Sequence, residues 1–116
     1  MTTFKRGEIS LVNFNPGRGS EQKGIRPALI IQNDIGNQYA STIIVAAVTT
    51  TIKKYPVTVL IDQGEGGLKE RSMVNLAQVL TIDKGRLIKR LGKLGEDKMR
   101  EVDEAIKISL GIGILE

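Results

Sequence analysis

The sequence predicts a mainly β chain with C-terminal helices (α+β), arranged as a small open antiparallel barrel under a helical lid. Three observations predict it: five short β-rich segments punctuated by Gly, Pro and Asn, the continuous apolar run Thr42–Thr49, and one amphipathic segment of helical period, Glu96–Leu110. At 116 residues the chain is expected to form one domain, 1–116, with a single hydrophobic core.

The first strand is read at residues 8–14, where Ile9 and Leu11 alternate with Ser10, Val12 and Phe14. Asn15, Pro16, Gly17, Arg18 and Gly19 form a dense breaker cluster that starts a long connection, of the mobile kind that often carries function. Pro27 then opens an apolar run over 28–31, at a strand's first position, where a missing N–H costs no ladder bond. Asp34, Ile35, Gly36 and Asn37 read as the next turn. Thr42–Thr49 is apolar throughout, so it is expected to be a central strand covered on both faces.

After the pair Lys53 and Lys54, residues 56–61 read as a fourth strand, and Gly64, Glu65, Gly66 and Gly67 turn the chain. A fifth strand is expected over 72–80, its apolar character interrupted by Asn75 and Gln78. Residues 83–91 look like a short basic helix capped by Asp83, with a solvated or RNA-facing charged side. In Glu96–Leu110 the apolar stripe runs through Met99, Val102, Ile106 and Leu110, the early turns are acidic, and Gly111 stops the helix.

Composition narrows the chemistry. The chain has no cysteine and no histidine, which removes disulfides, thiolate metal sites, cysteine nucleophiles and the usual general base. Catalysis would run on Arg, Lys, Asp, Glu, Ser, Thr or Tyr without a metal or other cofactor. No apolar run approaches a membrane span or a signal peptide, so a soluble cytoplasmic protein is expected. The net charge is +4, and residues 1–58 hold seven Lys and Arg against three Asp and Glu, while residues 59–116 hold ten of each. An anionic partner should therefore meet the N-terminal half first, although +4 is also ordinary solubilising charge at this size.

The stretch around Arg26 carries the candidate site. A residue before proline is pushed towards extended geometry, so Arg26 should project from a fixed strand start rather than swing on a loop. For RNA cleavage without histidine, a planar guanidinium fork suits the phosphorane charge, yet it is a poor base because it keeps its proton. Thr49, at the end of the apolar strand, can donate to a non-bridging oxygen. Glu21, the nearest carboxylate in sequence to Arg26, is the candidate acceptor of the 2′-proton, provided that burial makes it a stronger base than a solvated carboxylate. Singly, each residue is more often a surface salt-bridge partner, a solvated acid or a strand-edge hydroxyl; their arrangement shifts the balance.

Four stretches together resemble the MazF/PemK family of toxin endoribonucleases: Arg6-Gly7-Glu8-Ile9, Gly19-Ser20-Glu21-Gln22-Lys23-Gly24-Ile25-Arg26-Pro27, Ile30-Ile31-Gln32-Asn33-Asp34-Ile35-Gly36-Asn37 and the Thr42–Thr49 run. The likeness continues through Thr81-Ile82-Asp83-Lys84-Gly85-Arg86-Leu87 to the segment 102–111, and covers nearly the whole chain. It implies an SH3-like or CcdB-like barrel, a homodimer, and a sequence-selective, metal-independent endoribonuclease acting on single-stranded RNA. It also implies products with 2′,3′-cyclic phosphate and 5′-hydroxyl ends, and a cognate antitoxin, expected to be an acidic segment that folds onto the basic site. The family's catalytic arginine matches Arg26 and its catalytic threonine Thr49, while Ser20, Glu21, Gln22 and Gln78 match positions that touch RNA. Ala77 and Arg71 stand where many members carry acidic residues, departures expected to alter the RNA sequence recognised rather than the chemistry.

Two other readings compete. Gyrase poisons share the fold family but end in a tryptophan-containing tail, whereas this chain has no tryptophan. A small barrel that binds RNA without cutting it has the same sequence features, because cleavage depends on fine placement of Arg26 and Thr49.

Overall fold

The computed structural model describes residues 3–16, 19 and 23–113. Its strands are β1 (Glu8–Asn13), β2 (Ile25–Ile30), β3 (Thr42–Thr49), β4 (Thr58–Ile61), β5 (Ser72–Asp83) and β6 (Leu87–Lys93), and its helices α1 (Asp34–Tyr39) and α2 (Glu96–Leu110). The six strands form one sheet in the order β4-β5-β3-β2-β1-β6. Every recorded pairing in it is antiparallel. The outer strands β4 and β6 do not pair, so the barrel is not closed by hydrogen bonds.

Closure is instead made by packing. A 3₁₀ turn, Glu65–Gly67, follows β4 and lies against β6 at the far edge of the sheet. A Cβ at Gly67 would sit 2.0 Å from the Leu91 carbonyl oxygen, and one at Gly92 would sit 2.6 Å from the Gly66 carbonyl carbon. Two backbones therefore touch where a side chain on either would hold them apart, and the sheet curls until the turn after β4 meets β6, although the edge strands themselves do not pair.

The sheet has two apolar faces. Beneath α2, Ile9, Leu29, Ala46, Val48, Val74 and Leu76 pack with Val102 and Ala105. Across the sheet lie Val12, Phe14, Ala28, Ile30, Ile43 and Val45. β3 feeds both clusters alternately, which is why its sequence is apolar without a break. α2 has the limits its periodicity predicts, and Gly111 ends it at φ 73°. Its stripe is narrower than expected at the end, since Leu110 is exposed while Ala105 is buried.

Two segments differ from the sequence reading. Asp34–Asn37 is not a turn but the start of α1, capped by the Asn33 side chain, whose Oδ1 accepts the Gly36 N–H at 2.8 Å. Residues 83–91 are not a helix: a 3₁₀ turn, Lys84–Arg86, leads into β6. The four-residue spacing of Leu87 and Leu91 mimics a helical stripe, but here the chain is an edge strand, and its Lys89, Arg90 and Lys93 point charge at solvent. Smaller differences are ends: β2 begins at Ile25, ahead of Pro27, and β5 runs on to Asp83.

Polar contacts tie the N-terminus to both helices. Arg6 donates from Nε to the Ile31 carbonyl at 2.8 Å and from Nη2 to Asp103 of α2 at 2.7 Å, while its backbone N–H reaches Asp34 Oδ1 at 2.7 Å. Buried Gln32 and Asn37 bond each other, and Asn37 also donates to Asp34. The N–H of Arg6 and the Asn37 amide, with lesser help from the charges of Lys5 and Arg6, hold the Asp34 carboxyl below its ordinary value of 3.8 against the opposing effect of burial.

Two predictions follow from this packing. Gly67→Ala should lower stability by about 2–3 kcal/mol, because it adds a backbone clash to a positive φ, whereas Gly64→Ala, with open space around it, should lose only about 1 kcal/mol; urea midpoints of the two variants test this, and equal losses would remove the edge contact as a constraint. The depressed Asp34 pKa means that its ionised form stabilises the fold above about pH 4 and that this contribution drains away as pH falls through the folded-state value. Asp34→Asn should therefore give a flatter loss of stability on acidification below about pH 4, and an unchanged slope would mean that Asp34 is not coupled to folding.

Candidate nucleic-acid site

Arg26 and Thr49 lie on adjacent strands. The β2–β3 register pairs Ala28 with Ala47, Leu29 with Ala46 and Ile30 with Val45; continued past Ala28, it sets Arg26 across from Thr49. Both share the strand parity of Ala28, Ile30, Ile43 and Val45, so both rise from the sheet face opposite α2. On its other side Arg26 pairs with Val12 of β1. The sequence thus brings its two principal candidates together, from positions far apart along the chain.

Each is bonded in a way that leaves its useful atoms outward. Arg26 is exposed, and its Nε donates to the Lys23 carbonyl at 2.9 Å. That bond steadies the guanidinium plane and leaves both terminal nitrogens as a fork for a phosphate. Thr49 Oγ1 accepts the Thr51 N–H at 3.1 Å, so its own proton is available for donation. Among the described residues none of Lys23, Arg26, Lys53 or Lys54 meets a carboxylate within salt-bridge distance. On α2, by contrast, Lys98, Arg100 and Lys107 are each tied to acids of their own helix. The positive field therefore survives near Arg26, as the charge division between the two halves of the chain anticipates.

Gln78 lies in a bulge. β5 pairs Val79 with Ala46 and Asn75 with Ala47, so the register shifts across Leu76, Ala77 and Gln78. Such an insertion re-aims side chains beside a site. Hydrogen bonds hold it: Asn75 Oδ1 accepts the Ala77 N–H at 3.0 Å, the Leu76 N–H donates to the Val57 carbonyl at 2.8 Å, and Ser109 of α2 donates to the Leu76 carbonyl at 2.7 Å. Asn75 itself falls on the Arg26–Thr49 face, a placement that its interruption of an apolar strand hinted at. Ser20, Glu21 and Gln22 lie outside the described residues.

Sequence reasoning missed Arg86. Taken as one face of a basic helix, it is half-buried beside β1 and donates from Nη1 to the carbonyls of Asn13 and Asn15, at 3.0 and 2.6 Å. It borders a groove of about 300 Å³ with Phe14, Pro16, Leu80 and Ile82. Nothing local in the sequence announces a contact made across seventy residues of chain.

Among the described residues no group of three or more acidic side chains is poised to hold a metal ion, and no helix is long and apolar enough to cross a membrane. The arrangement offers a fork of guanidinium donors, a hydroxyl donor and a positive surface, which is chemistry for holding a phosphodiester.

Comparison with known proteins agrees with that chemistry. Residues 5–110 match the family of PemK-like, MazF-like toxins of type II toxin–antitoxin systems. The endoribonuclease MazF of Staphylococcus saprophyticus is 47% identical over 111 residues, covering 94% of this chain and 92% of that protein. Among solved structures, MazF from Deinococcus radiodurans superimposes with a TM-score of 0.83 at 26% identity, over 96% of this chain and 99% of that one. A mycobacterial endoribonuclease in complex with its cognate antitoxin shares the fold, with a TM-score of 0.83 at 22% identity over 97% of this chain and 99% of that chain. The chain belongs to the PemK-like, MazF-like toxin family of type II toxin–antitoxin systems.

Proposed function

We propose that residues 1–116 act as one toxin domain, a sequence-selective endoribonuclease that cuts single-stranded RNA in the cytoplasm without a metal. The observation that carries this reading is the juxtaposition of Arg26 and Thr49 by the β2–β3 register in a chain 47% identical to an endoribonuclease. In the reaction the 2′-oxygen attacks phosphorus and the bond to the 5′-oxygen breaks, leaving a 2′,3′-cyclic phosphate and a 5′-hydroxyl. The 2′-hydroxyl proton leaves to a base and the departing 5′-oxygen gains one.

Arg26 supplies permanent positive charge to the non-bridging oxygens as the phosphorane forms, where its forked donors gain most. Thr49 donates its free proton to the same group. Glu21 is the candidate base, and Ser20, Gln22 and Gln78 the candidate contacts to RNA bases and sugars. With Phe4, Phe14, Tyr39 and Tyr55 as its only aromatics, the chain has few stacking platforms, so recognition leans on hydrogen bonds and arginine. Ala77 and Arg71, both exposed, then set a sequence preference of their own.

The partners proposed are a second copy of the chain and an acidic antitoxin segment. A solved relative named as a MazE–MazF complex from Deinococcus radiodurans, 25% identical, supports a protein partner for this chain. The surface around Arg26, where among the described residues Lys23, Lys53 and Lys54 also meet no carboxylate within salt-bridge distance, is where an acidic segment gains most.

The test is incubation of the wild-type, Arg26→Ala and Thr49→Ala proteins with a long unstructured RNA in EDTA, with cut positions and product ends mapped. Wild type should make discrete cuts with cyclic-phosphate and 5′-hydroxyl ends. Arg26→Ala should lose about 10²- to 10³-fold or more in turnover with its fold intact, and Thr49→Ala should lose turnover rather than RNA affinity. Binding without cuts would place the protein among non-catalytic RNA binders. A requirement for magnesium would overturn the metal-free mechanism, and wild-type turnover in Arg26→Ala would remove that residue from it.

A further inference from the structure

We infer that Arg86 is a positioning residue for Arg26, acting through a chain of hydrogen bonds at the root of the β1–β2 connection. The inference rests on the reading of Arg26 as the residue that stabilises the reacting phosphate. Arg86 Nη1 donates to the Asn15 carbonyl at 2.6 Å and to the Asn13 carbonyl at 3.0 Å, and so holds the outgoing strand end. The Asn15 side chain takes the next step: its Oδ1 accepts the Gly24 N–H at 2.8 Å, while the Gly24 carbonyl accepts the Phe14 N–H at 2.9 Å. One residue before Gly24, the Lys23 carbonyl receives the Arg26 Nε–H at 2.9 Å. Every link from the Arg86 guanidinium to the Arg26 guanidinium is thus a bond of ordinary length between named atoms.

The need for such a device follows from the local geometry. Arg26 is exposed, its neighbour Ile25 is 60% exposed, and β2 enters the apolar core only at Ala28. Packing therefore does not lock the arginine, and its orientation depends on where the Lys23 carbonyl is held. Among the described residues Arg86 meets no carboxylate within salt-bridge distance, so its charge is engaged by two main-chain carbonyls alone. Both bonds come from the one Nη1, whose two N–H groups are fixed in the guanidinium plane and so aim at the two carbonyls together, whereas a lysine ammonium rotates freely on its stem. A shift of about 1 Å in a group that must meet a phosphorane can cost on the order of a hundredfold in rate.

The experiment measures kcat and KM for RNA cleavage by wild type, Arg86→Met, Arg86→Lys and Arg26→Ala, together with urea midpoints and ¹⁵N relaxation of the Arg26 Nε–H. Arg86→Met should lower kcat about 10- to 100-fold with KM within about twofold. Its urea midpoint should stay near that of wild type, the Arg26 Nε–H should lose order towards that of a free surface arginine, and Arg86→Lys should recover part of kcat. Wild-type kcat and unchanged Arg26 order in Arg86→Met, alongside an inactive Arg26→Ala, would overturn the role of Arg86 alone. A loss confined to KM and to the salt dependence of binding would make Arg86 a phosphate contact and overturn it as well. An active Arg26→Ala would remove the reading on which the inference rests, a failure seen in a different protein from the first.

Discussion

The pairing of β2 with β3 is the constraint on which the rest of the structure depends. Its register sets Ala28 against Ala47 and Ile30 against Val45, fills one sheet face with these residues and leaves the other to Leu29, Ala46 and Val48 under α2. The same register, carried to the strand ends, puts Arg26 opposite Thr49. A slip of one residue would turn every β2 side chain to the wrong face, so the core that stabilises the sheet also fixes the site. The geometry of the proposed catalytic pair is thus set by apolar packing several residues away.

Around that pairing the remaining elements act as supports at increasing distance. The β5 bulge is braced by Ser109 on one side and by its own Asn75 on the other, so helix packing is transmitted to the strand carrying Gln78. The glycine contact between the Glu65–Gly67 turn and β6 curls the sheet without joining its edges. Arg6 ties the start of the chain to α1 and α2, and buried Glu8 accepts the Lys5 N–H while pairing with Arg90 of β6. These polar ties engage other residues than Arg26, which meets no carboxylate within salt-bridge distance among the described residues. A surface so arranged suits a polyanion, and its affinity should fall as salt rises.

The parts of the fold legible in the sequence were those set by one dominant local signal. α2 could be read to the residue because a single apolar stripe, early acids and Gly111 agree, and β3 because an eight-residue apolar run has few other uses. β6 was not legible as a strand, since Leu87 and Leu91 are spaced like helix neighbours and an edge strand needs no alternation on its solvent side. α1 is short, contains Gly36 and has no apolar stripe to read, and short-range polar bonds hold it instead: the Asn33 cap and the contacts of Asn37 with Gln32 and Asp34. Of the proposed site, proline geometry, strand ends and family resemblance pointed to Arg26 and Thr49, and the β2–β3 register sets the two across from each other. Arg86 was not, because its partners are main-chain carbonyls, which leave no trace in side-chain sequence.

The most direct measurement is a double-mutant cycle between Arg26→Lys and Thr49→Val, read from single-turnover cleavage of one RNA substrate. Both changes keep the side-chain bulk and remove the fork or the hydroxyl alone. If the two groups hold the same phosphate in the transition state, their effects should be coupled by about 1 kcal/mol or more. Additive losses, within about 0.3 kcal/mol, would mean that the groups act independently and that their alignment across β2 and β3 is not the site of catalysis.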